Sequence, residues 1–143
     1  MNIDSIKNGI VIDHITAGYG MKIYELLGLE KADCSIALIK NVNSRKLGKK
    51  DIIKIDSNIP VNLDIIGYID PSATVNIIEN GELVCKKSID MPEKLINVIK
   101  CKNPRCITTV EQEIDHIFKL TDKANGIYRC LYCETKATPK EEI

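Results

Sequence analysis

The feature that most constrains this chain is a set of four cysteines in its last third, arranged as two close pairs. Cys101 and Cys106 form the first pair, and Cys130 and Cys133 form the second pair after an insert, residues 107–129. Two such pairs on tight turns can place four thiolates about 2.3 Å from one tetrahedral metal ion. The spacing therefore predicts one structural Zn2+ per chain, because a shell of four sulfurs leaves no open position for catalysis.

The cysteine pattern is also compatible with three arrangements other than a four-sulfur site. They are two disulfides, four unrelated buried thiols, and a site in which His116 from the insert replaces one sulfur. The metal interpretation is favoured, since paired cysteines in an intracellular chain bind metals more often than they form disulfides. Turn-forming residues, Asn103-Pro104 within the first pair and Gly126 before the second, also suit two tight turns.

The charge balance and the N-terminus limit the partners of this chain. Its 20 basic and 20 acidic residues cancel, so it lacks the basic excess that nonspecific nucleic-acid binding needs. The N-terminus has no basic segment followed by an apolar run, and no apolar stretch approaches the roughly 20 residues that cross a bilayer. We therefore expect a cytoplasmic protein that binds neither nucleic acid nor membrane.

The pattern before the cysteines predicts strands and helices in a recognisable order. Apolar periodicity predicts strands at residues 10–15, 34–39 and 51–55, helices at 21–27 and 61–69, and a hairpin at 74–87 around Asn80-Gly81. This order predicts an α+β protein whose N-terminal domain is a ferredoxin-like sandwich, an antiparallel sheet with two helices on one face. A small all-β, zinc-ribbon-like domain should follow, with residues 1–92 in the first domain and 93–143 in the second.

Polar residues on several predicted strands suggest a ligand site on the sheet. Asp13 or His14, Lys50, Lys54, Asn76 and Lys86 could all converge at one end of it. Lysines neutralise phosphates, a carboxylate accepts from ribose hydroxyls and an asparagine amide reads a base edge, which favours a nucleotide or another phosphorylated ligand.

Alternatives to this ligand site also remain. The lysines would then be scattered surface charges, and the first strand would run out into solvent at Asp13. The basic run at residues 40–54 would by default be a solvated loop. No glycine-rich phosphate loop supports the nucleotide interpretation.

Several segments of this chain resemble one family, the regulatory chains of aspartate carbamoyltransferase. The segments that carry the resemblance are residues 9–15, 47–55, 71–76, 101–107 and 130–133. The resemblance covers essentially the whole length. It implies a non-catalytic allosteric subunit of pyrimidine biosynthesis, with an N-terminal domain that binds CTP as inhibitor and ATP as activator at one site. It also implies a C-terminal zinc domain that docks on the catalytic chain.

The resemblance also implies roles for individual residues. By position, Asp13 and Lys54 would contact ribose and base, and His14 and Lys86 would contact the triphosphate. The further residues implied at this site are Lys50 near the phosphates, Asn76 and Ile78 lining the pocket, and Ile3 and Ile6 beside the base. The implied zinc ligands are Cys101, Cys106, Cys130 and Cys133. Family members pair through their allosteric domains, and six regulatory with six catalytic chains form a dodecamer.

Two other classes of protein compete with this interpretation. A nucleic-acid-binding zinc ribbon should carry a basic face interleaved with aromatics, but the insert contains Glu111, Glu113, Asp115 and Asp122. An enzyme should show a nucleophile with its base or an open metal site, and neither pattern is visible. We therefore predict no catalytic residues.

Overall fold

The computed structural model describes residues 6–45 and 48–139. The chain divides into two compact units, Met1–Asp90 and Met91–Ile143. Among the described residues, no helix is long and apolar enough to cross a membrane.

The first unit is a five-stranded antiparallel sheet with two helices. Its elements are β1 (Gly9–Thr16), α1 (Gly20–Leu26), β2 (Ile36–Ser44), β3 (Gly48–Ile55), α2 (Leu63–Ile69), β4 (Thr74–Glu79) and β5 (Glu82–Ser88). The strand order is β2-β3-β1-β4-β5, and every neighbouring pair is antiparallel. This is the ferredoxin-like arrangement extended by β5 beside β4. The predicted α+β class is confirmed.

The core of the first unit lies between the sheet and the helices. Ile12 on β1 pairs with Ile53 on β3, and both are fully buried. On the helix side of the sheet, α1 packs against β2, β3 and α2 and buries Ile23. Successive side chains of a strand point to opposite faces, so Val11 and Lys54 lie on the other face of the sheet.

Helix α2 forms despite weak intrinsic propensity. It contains Gly67 and several β-branched residues, which disfavour a helix. Asn62 caps its N-terminus, because the side-chain oxygen accepts a hydrogen bond from the Asp64 backbone N–H at 3.0 Å. Residues 65–69 are all buried, so tertiary packing supplies the stability that propensity does not.

The basic run at residues 40–54 is mostly two strands rather than a loop. β2 continues to Ser44 and β3 begins at Gly48, so they form a long hairpin. Lys49 Nζ donates to Asn43 Oδ1 across this hairpin at 3.1 Å. The loop interpretation was wrong because the strand pairing continues through the charged residues.

The β4–β5 hairpin has the geometry that its sequence predicts. Glu79 pairs with Glu82, which leaves Asn80 and Gly81 as a two-residue loop. Both loop residues have positive φ, +53° and +77°, as a type I′ turn requires. The predicted hairpin is therefore confirmed.

The second unit is small and consists mainly of strands. Its elements are β6 (Lys94–Ile96), the one-turn helix α3 (Ile107–Val110), β7 (Ile117–Asp122), β8 (Ile127–Cys130) and β9 (Lys136–Ala137). The four strands form an antiparallel sheet in chain order. Leu95, Phe118 and Cys130 pair in one row across it, and all three are buried. This row connects the small apolar core to the cysteines.

Candidate metal centre and ligand-binding face

The four cysteines of the second unit meet at one point. Their Sγ atoms all lie within 4.8 Å of one another. The closest pairs are Cys101 with Cys133 at 3.5 Å and Cys106 with Cys130 at 3.6 Å. Four sulfurs about 2.3 Å from a tetrahedral metal would be about 3.8 Å apart, so the cluster fits such an ion. All four cysteines are free thiols, so the alternatives of two disulfides or four unrelated thiols were wrong.

Two tight turns, which we call the first knuckle (residues 101–106) and the second knuckle (residues 130–133), present the sulfurs. In the first knuckle the Cys106 backbone N–H donates to the Asn103 carbonyl at 3.1 Å. In the second, the Glu134 backbone N–H donates to the Cys130 carbonyl at 2.9 Å, and Glu134 has φ of +63°. These local hydrogen bonds close each turn and hold its two cysteines near each other.

His116 supports the first knuckle and does not join the cluster of sulfurs. Its Nδ1 accepts a hydrogen bond from the Cys101 backbone N–H at 3.1 Å. Its own backbone N–H donates to Asn97 Oδ1 at 2.9 Å, and Asn97 Nδ2 donates to Asp115 Oδ1 at 3.0 Å. The His116 ring, which the sequence analysis considered as an alternative metal ligand, thus accepts a hydrogen bond from the Cys101 backbone.

Two threonine hydroxyls contact sulfurs of the cluster. Thr108 Oγ1 lies 3.1 Å from Cys106 Sγ, and Thr135 Oγ1 lies 3.1 Å from Cys133 Sγ. The Thr108 hydroxyl is the main cause that lowers the pKa of Cys106. Burial acts to raise the pKa of Cys133, but hydrogen bonds led by the Thr135 hydroxyl outweigh it and lower that pKa to about 6. Both hydroxyls therefore favour the thiolate, the form that binds metals.

The other two thiols are in a different environment. Burial raises the pKa of Cys101 to about 12 and also raises the pKa of Cys130. A metal must therefore displace protons when it binds here, which makes its affinity depend on pH.

The sequence analysis missed both threonines, although a local signal exists. Each follows a cysteine by two positions, as Cys106-Ile107-Thr108 and Cys133-Glu134-Thr135. This spacing returns a short side chain toward the preceding sulfur in a tight turn.

On the first unit, the register aligns several predicted site residues in one row. Lys54 pairs with Val11, Val11 with Asn76 and Asn76 with Lys86. We call this row the polar face. Neighbouring strands are about 4.8 Å apart, so the Cα atoms of Lys54 and Lys86 are separated by about 14 Å. Val11, an apolar side chain, lies between the two cations.

Asn76 carries an unusual polar atom on the polar face. Its Oδ1 is buried and has no hydrogen-bond partner among the described residues. Buried acceptors are nearly always paired, so this oxygen is open to a donor from outside the described residues. An N–H of a ligand would satisfy it.

Asp13 and Lys50 form an ion pair at the end of the polar face. Lys50 Nζ lies 2.9 Å from Asp13 Oδ1, and both side chains are mostly buried. Burial acts to raise the pKa of Asp13, but the hydrogen bond from Lys50 and the backbone N–H of His14 outweigh it and lower the pKa. β1 does not run out into solvent at this point, because Ile15 is again fully buried.

His14 lies in a β-bulge, which a period-two pattern cannot predict. Ile12 and Ile15 pair with β3, so the two residues between them oppose only one, and His14 has φ of +56°. Its Nδ1 lies 3.0 Å from Thr74 Oγ1. Thr74 was missed by the sequence analysis, although it shares a strand face with Asn76 through simple alternation.

The other end of the polar face is apolar. Ile78 pairs with both Gly9 and the exposed Leu83. A Cβ at Gly9 would lie 2.8 Å from Ile6 Cγ2, so Ile6 packs closely at this position. The structure thus brings Ile6 and Ile78 to the same end, whereas Ile3 lies outside the described residues.

Together these features define a class of protein: one chain with a sheet that carries cations and a buried amide oxygen unpaired among the described residues, and with a four-cysteine metal module. Comparison with known proteins narrows this class. The family model "aspartate carbamoyltransferase regulatory chain, allosteric domain" matches residues 1–90. The model "aspartate carbamoyltransferase regulatory chain, metal binding domain" matches residues 93–143.

Curated relatives give the same result. The regulatory chain of Clostridium botulinum is 54% identical over 94% of this chain and 92% of its own length. That of Clostridium tetani is 51% identical over 94% of both chains, and that of Bifidobacterium longum is 42% identical over 96% of this chain and 99% of its own. The chain belongs to the family of aspartate carbamoyltransferase regulatory chains, which confirms the resemblance and the prediction of a non-catalytic chain.

Proposed function

We propose that this chain is the cytoplasmic allosteric subunit of an aspartate carbamoyltransferase in pyrimidine biosynthesis. Its first unit binds CTP as inhibitor and ATP as activator at one site, and its second unit holds Zn2+ and docks on the catalytic chain. The observation that carries this proposal is the polar face, which lies in the segment matched by the allosteric-domain model.

The polar face supports a nucleoside triphosphate through complementary chemistry. Lys54 and Lys86 offer positive charge from the two sides of Val11, and Lys50 adds a third cation beside Asp13. Lysines act as point charges toward phosphates, the role assigned to Lys86 and Lys50. Lys54 is assigned to ribose and base together with Asp13, whose carboxylate can accept from ribose hydroxyls.

The base would lie toward the apolar end. Ile6 and Ile78 offer apolar surface there, and Ile3 is assigned to the same role by the family resemblance. Both cytosine and adenine carry an exocyclic amine, and Asn76 Oδ1 is an acceptor that such an amine can satisfy. His14 is assigned to the triphosphate, at the end of the face where Thr74 orients its ring.

Exposed apolar residues support docking of the second unit on another protein. Ile107 and Val110 follow the first knuckle, and Leu131 and Tyr132 lie within the second. Large apolar side chains exposed around one site are typical of a protein interface. The family name points to a catalytic chain as the partner. By the family resemblance, the assembly contains six regulatory and six catalytic chains, with the allosteric units in pairs.

Regulation by this chain requires no chemistry of its own. An effector that binds the first unit changes activity only if it binds two quaternary states of the assembly unequally, with a coupling free energy of typically about 1–3 kcal/mol. The metal has a structural role, because four thiolates from Cys101, Cys106, Cys130 and Cys133 fill a tetrahedral shell. Elemental analysis of the purified chain should find one zinc per chain.

Calorimetric titration of the zinc-loaded chain with CTP, and then with ATP, tests the nucleotide site. We expect mutually exclusive binding that Lys54→Ala and Lys86→Ala each weaken for both nucleotides, because CTP and ATP carry the same ribose and the same triphosphate. Lys87→Ala is the matched control, since Lys87 pairs with the buried Val75 and belongs to the opposite face. Equal losses in Lys86→Ala and Lys87→Ala would contradict a site on the polar face.

Reconstitution with the catalytic chain tests the second half of the proposal. The zinc-loaded chain should form a stable complex with it, and CTP should then lower the rate of carbamoyl transfer while ATP raises it. The Lys54→Ala chain should assemble equally well but respond weakly to either nucleotide. Assembly without any nucleotide response in the unaltered chain would contradict the allosteric role.

A further inference from the structure

The two knuckles share one feature that the ligand set does not require. Thr108 and Thr135 each place a hydroxyl oxygen 3.1 Å from the sulfur of the cysteine two positions earlier. Thr108 is almost fully buried, at 2% exposure. One hydroxyl serves each knuckle, and the two sulfurs that they contact belong to different close pairs of the cluster.

The direction of these hydrogen bonds follows from the chemistry of a metal site. A metal-bound cysteine is a thiolate, which has no proton and can only accept, so the threonine must donate. Four thiolates around a divalent ion leave excess negative charge in a buried place, and donors to sulfur offset it. Partners of this kind also orient the ligands.

A neighbouring threonine provides an internal contrast. Thr109 lies in the same turn as Thr108, but its hydroxyl donates to the Asn103 carbonyl at 2.8 Å and to the Cys101 carbonyl at 3.4 Å. It therefore ties backbone to backbone within the first knuckle and leaves the sulfurs alone. Substitutions at Thr108 and at Thr109 therefore distinguish an effect on the sulfur from an effect on the turn.

We propose that Thr108 and Thr135 are positioning residues of the metal centre, whose hydroxyls donate to the Cys106 and Cys133 sulfurs and thereby slow the loss of the metal. This inference rests on the proposed four-cysteine site. It assigns a role to two residues outside the ligand set. It also divides the four sulfurs into two that accept a hydrogen bond from a threonine hydroxyl and two, those of Cys101 and Cys130, to which no threonine role is assigned.

The test uses the full-length, metal-loaded chain and the isosteric changes Thr108→Val and Thr135→Val. Release of Zn2+ to an excess of a chromogenic chelator should be about 10-fold faster in each variant and up to about 100-fold faster in the double variant. Thr108→Ser and Thr135→Ser keep the hydroxyl and should restore slow release. Thr121→Val, in β7, removes a hydroxyl that contacts the Ile127 carbonyl and should have no effect.

A spectroscopic measurement separates hydrogen bonding from turn rigidity. In Co2+-loaded protein, a sulfur that loses a hydrogen-bond donor gives up its electrons more easily, so the sulfur-to-cobalt charge-transfer band should move to longer wavelength in both valine variants. Thr109→Val should leave this band in place. If Thr108→Val prevents folding, the same measurement can be made on Thr135→Val, because Thr135 is only half-buried.

Two results would overturn the inference. One is a charge-transfer band that stays in place in Thr135→Val; the other is release from Thr109→Val or Thr121→Val as fast as from Thr108→Val. Metal content distinguishes this failure from a failure of the proposed site. If the unaltered chain binds less than one metal ion, the site itself is wrong; if it binds one and the variants release it at the normal rate, only the role of the threonines is wrong.

Discussion

The buried carboxylate of Asp51 offers the sharpest test of how the first unit is held together. Asp51 is fully buried, and its oxygens accept hydrogen bonds from three backbone N–H groups, those of Gly18 and Gly20 at 3.0 Å and of Asn41 at 3.1 Å. It thus connects β3 to the turn before α1 and to the bulge of β2. The substitution Asp51→Asn preserves its shape and changes only its hydrogen bonding.

The cost can be worked out bond by bond. Oδ2 accepts from Gly18 and Gly20, and Oδ1 accepts from Asn41. An asparagine has one acceptor oxygen, so in its better orientation it keeps the two glycine bonds and turns its NH2 toward the Asn41 N–H. One bond of about 1.5–3 kcal/mol is lost, and the other two change from charge-assisted to neutral, at about 1 kcal/mol each. We expect a loss of about 3.5–5 kcal/mol in the free energy of unfolding.

Residue-specific unfolding measures this loss without mixing the two units. Urea titration of the zinc-loaded chain, followed by NMR signals of Ile12 for the first unit and Phe118 for the second, should show destabilisation only at Ile12. A loss of this size lowers the Tm of a domain of about 90 residues by at least about 12 °C. Asp56→Asn, the same change at an exposed position of the same unit, is the control. A loss below about 1 kcal/mol, or one equal to that of Asp56→Asn, would refute the reasoning.

Two further predictions concern the metal and the ion pair. Chelation of the metal should abolish the dispersed NMR signals of Phe118 and leave those of Ile12 in place, because metal binding supplies folding free energy on the order of 10 kcal/mol in small zinc modules. The Phe118 signals should recover only when Zn2+ is added. Phe118 signals that survive chelation would contradict this prediction. Lys50→Ala should raise the pKa of Asp13, as measured by its carboxyl chemical shift. Because the folded pKa lies below the ordinary value of 3.8, the ion pair stabilises the fold above that pH and its contribution disappears as pH falls through the folded pKa, so the variant should be less stable at neutral pH and equal in acid. A stability gap that persists in acid would contradict the assignment.

The secondary structure of the first unit was largely predictable because its signals are local. Asn80-Gly81 specifies a turn through the φ angles of two residues, and the alternation of Ile53 and Ile55 with Lys54 specifies a strand with one buried face. The default interpretation of the basic run at residues 40–54 as a loop was wrong. There, charged residues continue the ladder between β2 and β3, and charge alone does not reveal that pairing.

The candidate sites divide along the same line. Alternation places Lys54, Asn76 and Lys86 on strand faces, but only the register of four strands aligns them in one row. The contact of Asp13 with Lys50 depends on the bulge in β1, where one extra residue redirects the side chains. Neither the alignment of the strands nor the bulge in β1 can be recognised from the sequence of a single short segment.

The sequence by itself determined the four-cysteine centre and the family, because close pairs of one residue type need only two tight turns to act together. Only the tertiary structure decided which atoms support the four-cysteine centre and the sheet of the first unit. His116 holds the Cys101 backbone rather than the metal, and Asp51 ties three backbone segments together. Such roles depend on contacts between residues far apart in the chain, and folding, not local spacing, creates them.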